Sequence, residues 1–238
     1  MRISRKTRIP GLISPSSSCR LAALTDLLTP SAEDNAPQAI YCYRRAIKLD
    51  SSSPDLIWKL VEVYRQTEQN NKAVDALRKI HRVEPSFLRD FNMLMEVHPI
   101  IMQTQQYAFG ATAFGEAFTY HFATFEKPED QGPENTMTIE HIVIYVDYLL
   151  KSGDPESAVG VIHRGQRWLQ GRKNEKGWDA MDDDSEYYPQ QRDDEDEEQE
   201  AGSGGYDLDN QLRYRLAVAR LRLGQDDEAL VRDYKRVC

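Results

Sequence analysis

The sequence predicts an all-α fold, a solenoid built from consecutive helical hairpins. Three small or apolar positions recur 34 residues further along the chain: Ala39, Tyr43 and Ala46 recur as Ala73, Leu77 and Ile80. Within each predicted helix the apolar residues follow the i, i+3, i+4, i+7 spacing that places them on one face. Because one hairpin cannot bury that face alone, neighbouring hairpins must stack on one another.

The repeat length indicates the type of hairpin, since 34 residues is the period of the tetratricopeptide (TPR) repeat. With Ala73 at repeat position 20, the apolar positions of the first helix of repeat 2 are Ile57, Leu60, Val61 and Tyr64. Ala73 is small at the point where the two helices of the hairpin must approach closely. TPR arrays usually bind other proteins along their extended surfaces.

Residues 1–37 form a basic, serine-rich N-terminus that we predict to be disordered, because it combines four prolines with a serine cluster. Its first acidic residue is Asp26, a composition that resembles a mitochondrial presequence. A disordered tail or a gene-model artefact is the alternative interpretation. Pro30 would break the first helix of repeat 1, so only the helix from Gln38 to Leu49 is expected there.

The TPR array is predicted to occupy residues 38–173. Repeat 2 begins at Ser53, which can cap the helix, with Pro54 at the first helical position and Asp55 favouring the positive end of the helix dipole. Repeat 3 follows, with a first helix over 87–97 that we expect Pro99 to interrupt. Its second helix, over 106–125, is rich in glycine, alanine and aromatic residues, which favours close helix packing over a ligand pocket.

A polar linker over 127–135 leads to repeat 4 at 138–170. Its turn joins a glycine, a capping aspartate, a first-position proline and an acidic first turn in the four residues 153–156. Repeat 5 begins near Asp207, and residues 206–238 are predicted to form a partial TPR hairpin.

Residues 174–205 are predicted to be a disordered acidic insertion, because dense like charge with few apolar residues cannot offset the entropy of ordering. Between residues 179 and 200 there are twelve acidic residues and one basic residue, so this run carries −11 while the whole chain carries −9. The rest of the chain is therefore near +2. A near-neutral array lacks the broad basic surface that nucleic acid binding requires, so we expect DNA contact only indirectly, through a complex.

The sequence contains no pattern that predicts catalysis. Its five histidines and three cysteines are scattered without metal-ligand spacing, and no glycine loop followed by Lys-Ser/Thr is present. We therefore expect a protein that is not an enzyme and has no cofactor, no metal and no small-molecule substrate. No run approaches 18 apolar residues, so no membrane span is expected.

The candidate partner-binding residues lie at positions 2, 5, 9 and 12 of the first helix of each repeat, a stripe offset from the packing positions. In repeats 2 and 4 these residues are Asp55, Trp58, Glu62, Arg65, Glu140, Val143, Asp147 and Leu150. An aromatic residue flanked by charges resembles an interface hot spot. The alternative for Trp58 is that it packs on the neighbouring repeat.

Two stretches resemble a known family. Residues 39–47 (AIYCYRRAI) and residues 161–172 (VIHRGQRWLQGR), followed by Trp178 and an acidic run, are similar to the TPR subunit of fungal transcription factor IIIC (TFIIIC). The resemblance covers about residues 38–236 and an interior part of a larger protein. It implies a non-catalytic nuclear scaffold whose partners are the other TFIIIC subunits and those of transcription factor IIIB (TFIIIB). Its implied role is RNA polymerase III transcription initiation, in which TFIIIC assembles on internal promoters and recruits TFIIIB.

The alternative function is a generic TPR adaptor, chaperone-associated or mitochondrial, that binds a peptide or helix in its concave groove. A clamp for a peptide carboxylate would need Lys or Asn at positions 5 and 9. Repeat 2 has Trp58 and Glu62 there, and an acidic lining repels a carboxylate.

Overall fold

The computed structural model describes residues 36–132, 135–174 and 208–224, and in these ranges the chain contains α-helices, two short 3₁₀ helices and no strand. The α-helices are α1 (Ala36–Leu49), α2 (Pro54–Gln66), α3 (Asn70–Val83), α4 (Phe91–Gln103), α5 (Tyr107–Thr124), α6 (Ile139–Ser152), α7 (Pro155–Leu169) and α8 (Asn210–Arg222). The 3₁₀ helices span Pro85–Arg89 and Pro128–Asp130.

The α-helices form a TPR-type solenoid of helical hairpins. The pairs α2/α3, α4/α5 and α6/α7 are the three complete hairpins of the described ranges. Helix α1 packs on α2, and α8 packs on both α6 and α7. We call α2, α4, α6 and α8 the A-helices, and α1, α3, α5 and α7 the B-helices. The fold predicted from the 34-residue period is confirmed.

Helices begin where the capping residues predict. The hydroxyl of Ser53 accepts a hydrogen bond from the backbone N–H of Leu56 at 3.5 Å. In repeat 4 the Asp154 carboxylate accepts from the N–H of Ser157 at 3.0 Å, and the preceding Gly153 adopts a φ of 88°. That left-handed conformation suits glycine and ends α6 sharply, which sets the angle at which α7 folds back.

Repeat 3 differs from the prediction in its first helix. The sequence predicts an interruption at Pro99, but α4 continues through it to Gln103. The helix also begins later than predicted, because the 3₁₀ helix Pro85–Arg89 precedes it and Asp90 caps it by accepting from the N–H of Asn92 at 2.9 Å. Pro99 is on the exposed side of α4, where water can satisfy the carbonyl that a missing N–H releases, while Ile100 and Ile101 pack inward.

The small residues of α5 serve close helix packing, as predicted. A Cβ on Gly110 would lie 2.5 Å from Cε1 of Tyr148, and one on Gly115 would lie 2.8 Å from the Tyr145 hydroxyl oxygen. Both tyrosines belong to α6. Helices α5 and α6 therefore approach as closely as they do because α5 carries no side chain at these two positions.

The segment that carries the family resemblance, at the end of α7, is part of the core. Trp168 is fully buried, packs edge-to-face on Phe122 and donates from Nε1 to the carbonyl of Phe125 at 3.3 Å. Nζ of Lys173 donates to the same carbonyl at 3.1 Å. This segment therefore joins the end of repeat 4 to the end of α5.

The predictions for residues 1–35 and for the acidic run lie outside the described residues. Of repeat 5, the described ranges contain the first helix, α8, with Leu212 and Leu216 buried against repeat 4. The boundaries of the four predicted segments stay predictions.

Candidate partner-binding surfaces

Three of the eight predicted stripe residues are buried. Trp58, Val143 and Leu150 are 7%, 8% and 6% exposed. The Trp58 ring lies 5.8 Å from that of Phe87, in the 3₁₀ helix that leads into repeat 3. The arrangement matches the alternative in which Trp58 packs on the neighbouring repeat. These three side chains therefore present little surface to which a partner protein could bind.

Two further stripe residues form ion pairs between consecutive A-helices. Arg65 on α2 pairs with Glu96 on α4. Asp147 on α6 accepts two hydrogen bonds from Arg215 on α8, at 2.7 and 2.8 Å. Between them, Nδ1 of His98 on α4 hydrogen bonds to the hydroxyl of Tyr148 on α6 at 2.8 Å. Each A-helix is thus joined to the next by a polar contact.

The remaining stripe residues, Asp55, Glu62 and Glu140, lie at or near the surface and are all acidic. Glu62 and Arg65 line an open groove of about 790 Å³, which we call the helix-A groove. Its lining residues are Glu62, Arg65, Gln66, Glu68, Asn70, Glu96, Ile100 and Gln103. Three carboxylates and one guanidinium line it, and Glu62 also pairs with Lys59 at 2.9 Å. The net charge of this set is still negative, so the groove is suited to a basic partner segment. The stripe residues of repeat 4 do not line it.

A second groove, of about 830 Å³, lies between the B-helices α1 and α3, and we call it the helix-B groove. Its lining residues are Tyr41, Arg44, Arg45, Ile47, Lys48, Ile57, Leu60, Tyr64, Lys72, Asp75, Ala76 and Lys79. Five of these residues are cationic and one is acidic. The rims are positive, and the walls between them are apolar.

The two grooves lie on opposite faces of α2, since residues 57, 60 and 64 line one and residues 62, 65 and 66 line the other. Sequence reasoning missed the helix-B groove because it averaged the charge of the array to near zero. The signal was present in the sequence: α1 and α3 each place polar or charged residues at i, i+3 and i+7, from Tyr41 to Lys48 and from Lys72 to Lys79.

Three histidines are built into the hairpin contacts. Burial lowers the pKa of His98, His121 and His141 below the usual histidine value. The His141 ring stacks on Phe91 at 4.4 Å, and its Nδ1 accepts from the backbone N–H of Thr138 at 3.0 Å. Burial likewise raises the pKa of Tyr148. These contacts assign the imidazoles of His98 and His141 to packing and capping.

In the part of the chain that the structure describes, no three His, Cys, Asp or Glu side chains are grouped to hold a metal ion. Across the same ranges, no helix has the length and apolar character needed to cross a bilayer.

The geometry defines a TPR-type repeat protein. We compared the chain with known proteins. No family model matches the chain. It is 26% identical over 199 residues, 81% of its length, to transcription factor tau subunit sfc4 of Schizosaccharomyces pombe. It is 21% identical, over 83% of its length, to the transcription factor tau 131 kDa subunit of Saccharomyces cerevisiae. These alignments span 19% and 24% of the two relatives.

Among solved structures, the chain is similar to two crystal structures of nearly identical TPR-like repeats from a Podosopora anserina protein of the kinesin light chain type. The sequence identities are 11% and 12%, and the TM-scores are 0.44 and 0.42. Each alignment covers 94% of this chain, and 95% and 97% of the matched chains.

Proposed function

We propose that this chain is a non-catalytic TPR scaffold segment of a TFIIIC-type complex, acting in the nucleus in RNA polymerase III transcription initiation. The observation that carries the proposal is the similarity to two fungal transcription factor tau subunits along more than four fifths of the chain. The two segments that resemble the TFIIIC subunit support it. One of them is the buried end of α7 around Trp168.

The array has the physical properties that a scaffold needs. Consecutive A-helices are joined by Arg65–Glu96, His98–Tyr148 and Asp147–Arg215. Aromatic contacts such as Trp58–Phe87 also cross between repeats. Because each repeat contacts only its neighbours, such contacts fix the curvature of the array and the spacing of its binding surfaces.

The partners in this proposal are the other TFIIIC subunits and TFIIIB subunits, with DNA held only indirectly through the complex. We assign partner binding to the acidic residues of the predicted stripe that reach the surface: Glu62 in the helix-A groove, Asp55 in the first turn of α2, and Glu140 on α6. Carboxylates at an interface rim steer oppositely charged partners and increase the association rate. A basic segment of a TFIIIC or TFIIIB subunit is the complementary ligand.

The proposal is tested by affinity capture from a fungal nuclear extract on the immobilised 238-residue chain, with immunoblots for TFIIIC subunits, TFIIIB subunits and chaperones. We expect the TFIIIC and TFIIIB subunits to be retained. Glu62→Lys should reduce their recovery, because it reverses a charge in the helix-A groove. Glu129→Lys, at an exposed site outside both grooves, is the matched control and should leave recovery unchanged.

Retention of chaperones without polymerase III factors would instead favour the generic adaptor function. Equal loss of TFIIIC and TFIIIB recovery with Glu62→Lys and Glu129→Lys would contradict the assignment of partner binding to the helix-A groove. The scaffold role is tested separately, by whether the wild-type chain captures these subunits.

A further inference from the structure

The helix-B groove has a geometry that suits a helical ligand. Two parallel rims, from Tyr41 to Lys48 on α1 and from Lys72 to Lys79 on α3, each present residues at i, i+3, i+4 and i+7. The floor comes from α2, with residues 57, 60 and 64 at i, i+3 and i+7. Three helices thus direct one stripe each into the same elongated groove, as in complexes where a helix fills a groove between helices.

Three of the five rim cations donate to neutral partners in the described ranges. Nε of Arg44 donates to the hydroxyl of Tyr64 at 2.9 Å, and Arg45 donates to the hydroxyl of Tyr41 at 3.2 Å. Nζ of Lys72 donates to the side-chain carbonyl of Gln69 at 2.7 Å. These hydrogen bonds leave the positive charges uncompensated, so carboxylates placed between the rims would gain charge-assisted hydrogen bonds.

The carboxylate already in the groove does not compensate these charges. Asp75 pairs with Arg78, which is outside the lining, at 3.4 Å between the nitrogen and the oxygen. The lining therefore has an excess of four positive charges, from five cations and one acid. Its ligand must bring several negative charges along one direction.

The apolar walls decide between an acidic protein segment and a phosphate backbone. Ile47, Ile57 and Leu60 close the base of the groove at 6%, 0% and 6% exposure, so the apolar surface open to a ligand comes from Tyr41, which is 61% exposed, and from the aliphatic stems of the rim lysines and arginines. A phosphate backbone gains nothing from aliphatic walls, whereas a helix with an apolar stripe buries its own apolar surface there. The combination of cationic head groups, their aliphatic stems and the exposed Tyr41 fits a helix that is acidic on its flanks and apolar along one face.

We propose that the helix-B groove binds an acidic amphipathic helix of a partner protein, with the apolar face of that helix against Tyr41 and the aliphatic stems of the rim side chains, and its carboxylates between Arg44, Arg45 and Lys48 on one side and Lys72 and Lys79 on the other. This surface is separate from the helix-A groove, and its ligand has the opposite charge. The array would then hold two partner segments on opposite faces of α2.

The test uses the whole chain and a fluorescein-labelled synthetic helix with leucines at i, i+3, i+4 and i+7 and glutamates at the flanking positions. Binding is measured by fluorescence anisotropy at low and at high salt. We expect saturable binding that weakens as salt rises. A peptide with lysine in place of each glutamate should not bind. A peptide with serine in place of each leucine should bind at least about tenfold more weakly, because it loses the apolar contact.

The groove is mapped with paired variants. Lys72→Glu combined with Lys79→Glu should weaken binding by about tenfold or more, since it removes two attractive charges and adds two repulsive ones. Arg82→Glu changes the same charge on the same helix at an exposed position outside the lining, and it should leave binding nearly unchanged. Circular dichroism and thermal unfolding establish that every variant is folded.

Four results would overturn the proposal. The first is equal weakening by Arg82→Glu and by the double lysine variant. The second is equal binding of the leucine and serine peptides. The third is lysine-dependent binding of duplex DNA without binding of the peptide. The fourth concerns a variant in which the twelve acidic residues of 179–200 are replaced by asparagine and glutamine. If only this variant binds the peptide, the acidic run of the chain itself is the ligand of the groove.

Discussion

The two faces of α2 use similar residues for different purposes. On the face toward α4, Arg65 forms an ion pair with Glu96, and Trp58 is buried against Phe87. On the opposite face, cations such as Lys72 surround an open groove. Charged and aromatic residues at helical spacing are therefore paired or packed where α4 contacts them, as at Arg65 and Trp58, and open to a ligand along the rims of the helix-B groove. The neighbouring helix decides which.

The physical difference is the charge of the neighbour. On the α4 side, an acidic residue on one A-helix meets a basic residue on the next, so the helices can pack with their charges paired. On the other side, the rims of α1 and α3 are both cationic, and repulsion between like charges opposes closure of the groove. Contacts within the array therefore stabilise the cationic rims little, and an acidic ligand would stabilise them more.

The largest effect is expected from Trp58→Ala, which should lower the free energy of unfolding by about 3–5 kcal/mol because it leaves a cavity beside Phe87. Denaturant unfolding followed by circular dichroism measures it. Glu62→Gln, on the same stripe but partly exposed, is the control and should cost less than about 0.5 kcal/mol. Unchanged stability of Trp58→Ala would place this residue at a binding surface and would remove the distinction between the two faces.

A smaller loss, about 1–3 kcal/mol, is expected from Gly110→Ala, because the new Cβ would lie within 3 Å of the buried Tyr148 ring. Gly160→Ala is the matched control in α7. Its Cβ would meet only the end of the Arg164 side chain, at 3.7 Å, so alanine should stabilise that helix by about 0.5–1 kcal/mol. Thermal unfolding of the two variants should shift in opposite directions. A shift in the same direction would contradict the close α5–α6 approach.

The packed region should also make stability depend on pH. Burial lowers the pKa of His98, His121 and His141 in the folded chain, whereas unfolding returns each pKa to about 6.5. The unfolded state therefore binds more protons below that value. The stability from the neutral imidazoles is complete above about pH 6.5 and is lost as pH falls toward the lowered pKa values.

His141→Gln tests this directly, because glutamine at the third helical position can still accept from the N-cap N–H but does not titrate. Melting temperatures measured across the weakly acidic range should fall less steeply for this variant than for the wild-type chain. An unchanged slope would show that His141 does not contribute to the pH dependence.

The smallest effect on stability is expected on the open face. Lys72→Glu and Lys79→Glu should each change the free energy of unfolding by no more than about 0.5 kcal/mol, because these side chains border solvent and pair with no carboxylate in the described ranges. Chemical denaturation of the single variants measures it. A loss comparable to that of Gly110→Ala would show that the cations of the helix-B groove are needed for folding.

The sequence by itself determined the local structure of this protein. Helical hairpins are identified by the recurrence of Ala39 as Ala73, by the apolar faces and by the capping residues Ser53 and Asp154. The faces and caps can be read from the sequence because helix formation depends on residues close to one another along the chain. Composition also predicted that the small residues of α5 serve packing, which Gly110 confirms.

The tertiary structure decided what each surface residue does. The neighbouring repeat determines that Trp58 is buried and that Asp147 is paired. The exposed position of Pro99 determines that α4 continues through it, because water can satisfy the freed carbonyl. The helix-B groove arises in the same way, since its cations come from two helices that only stacking brings together. Charge averaged along a chain reports no such grouping, because electrostatic interaction depends on distance in space and not on separation in sequence.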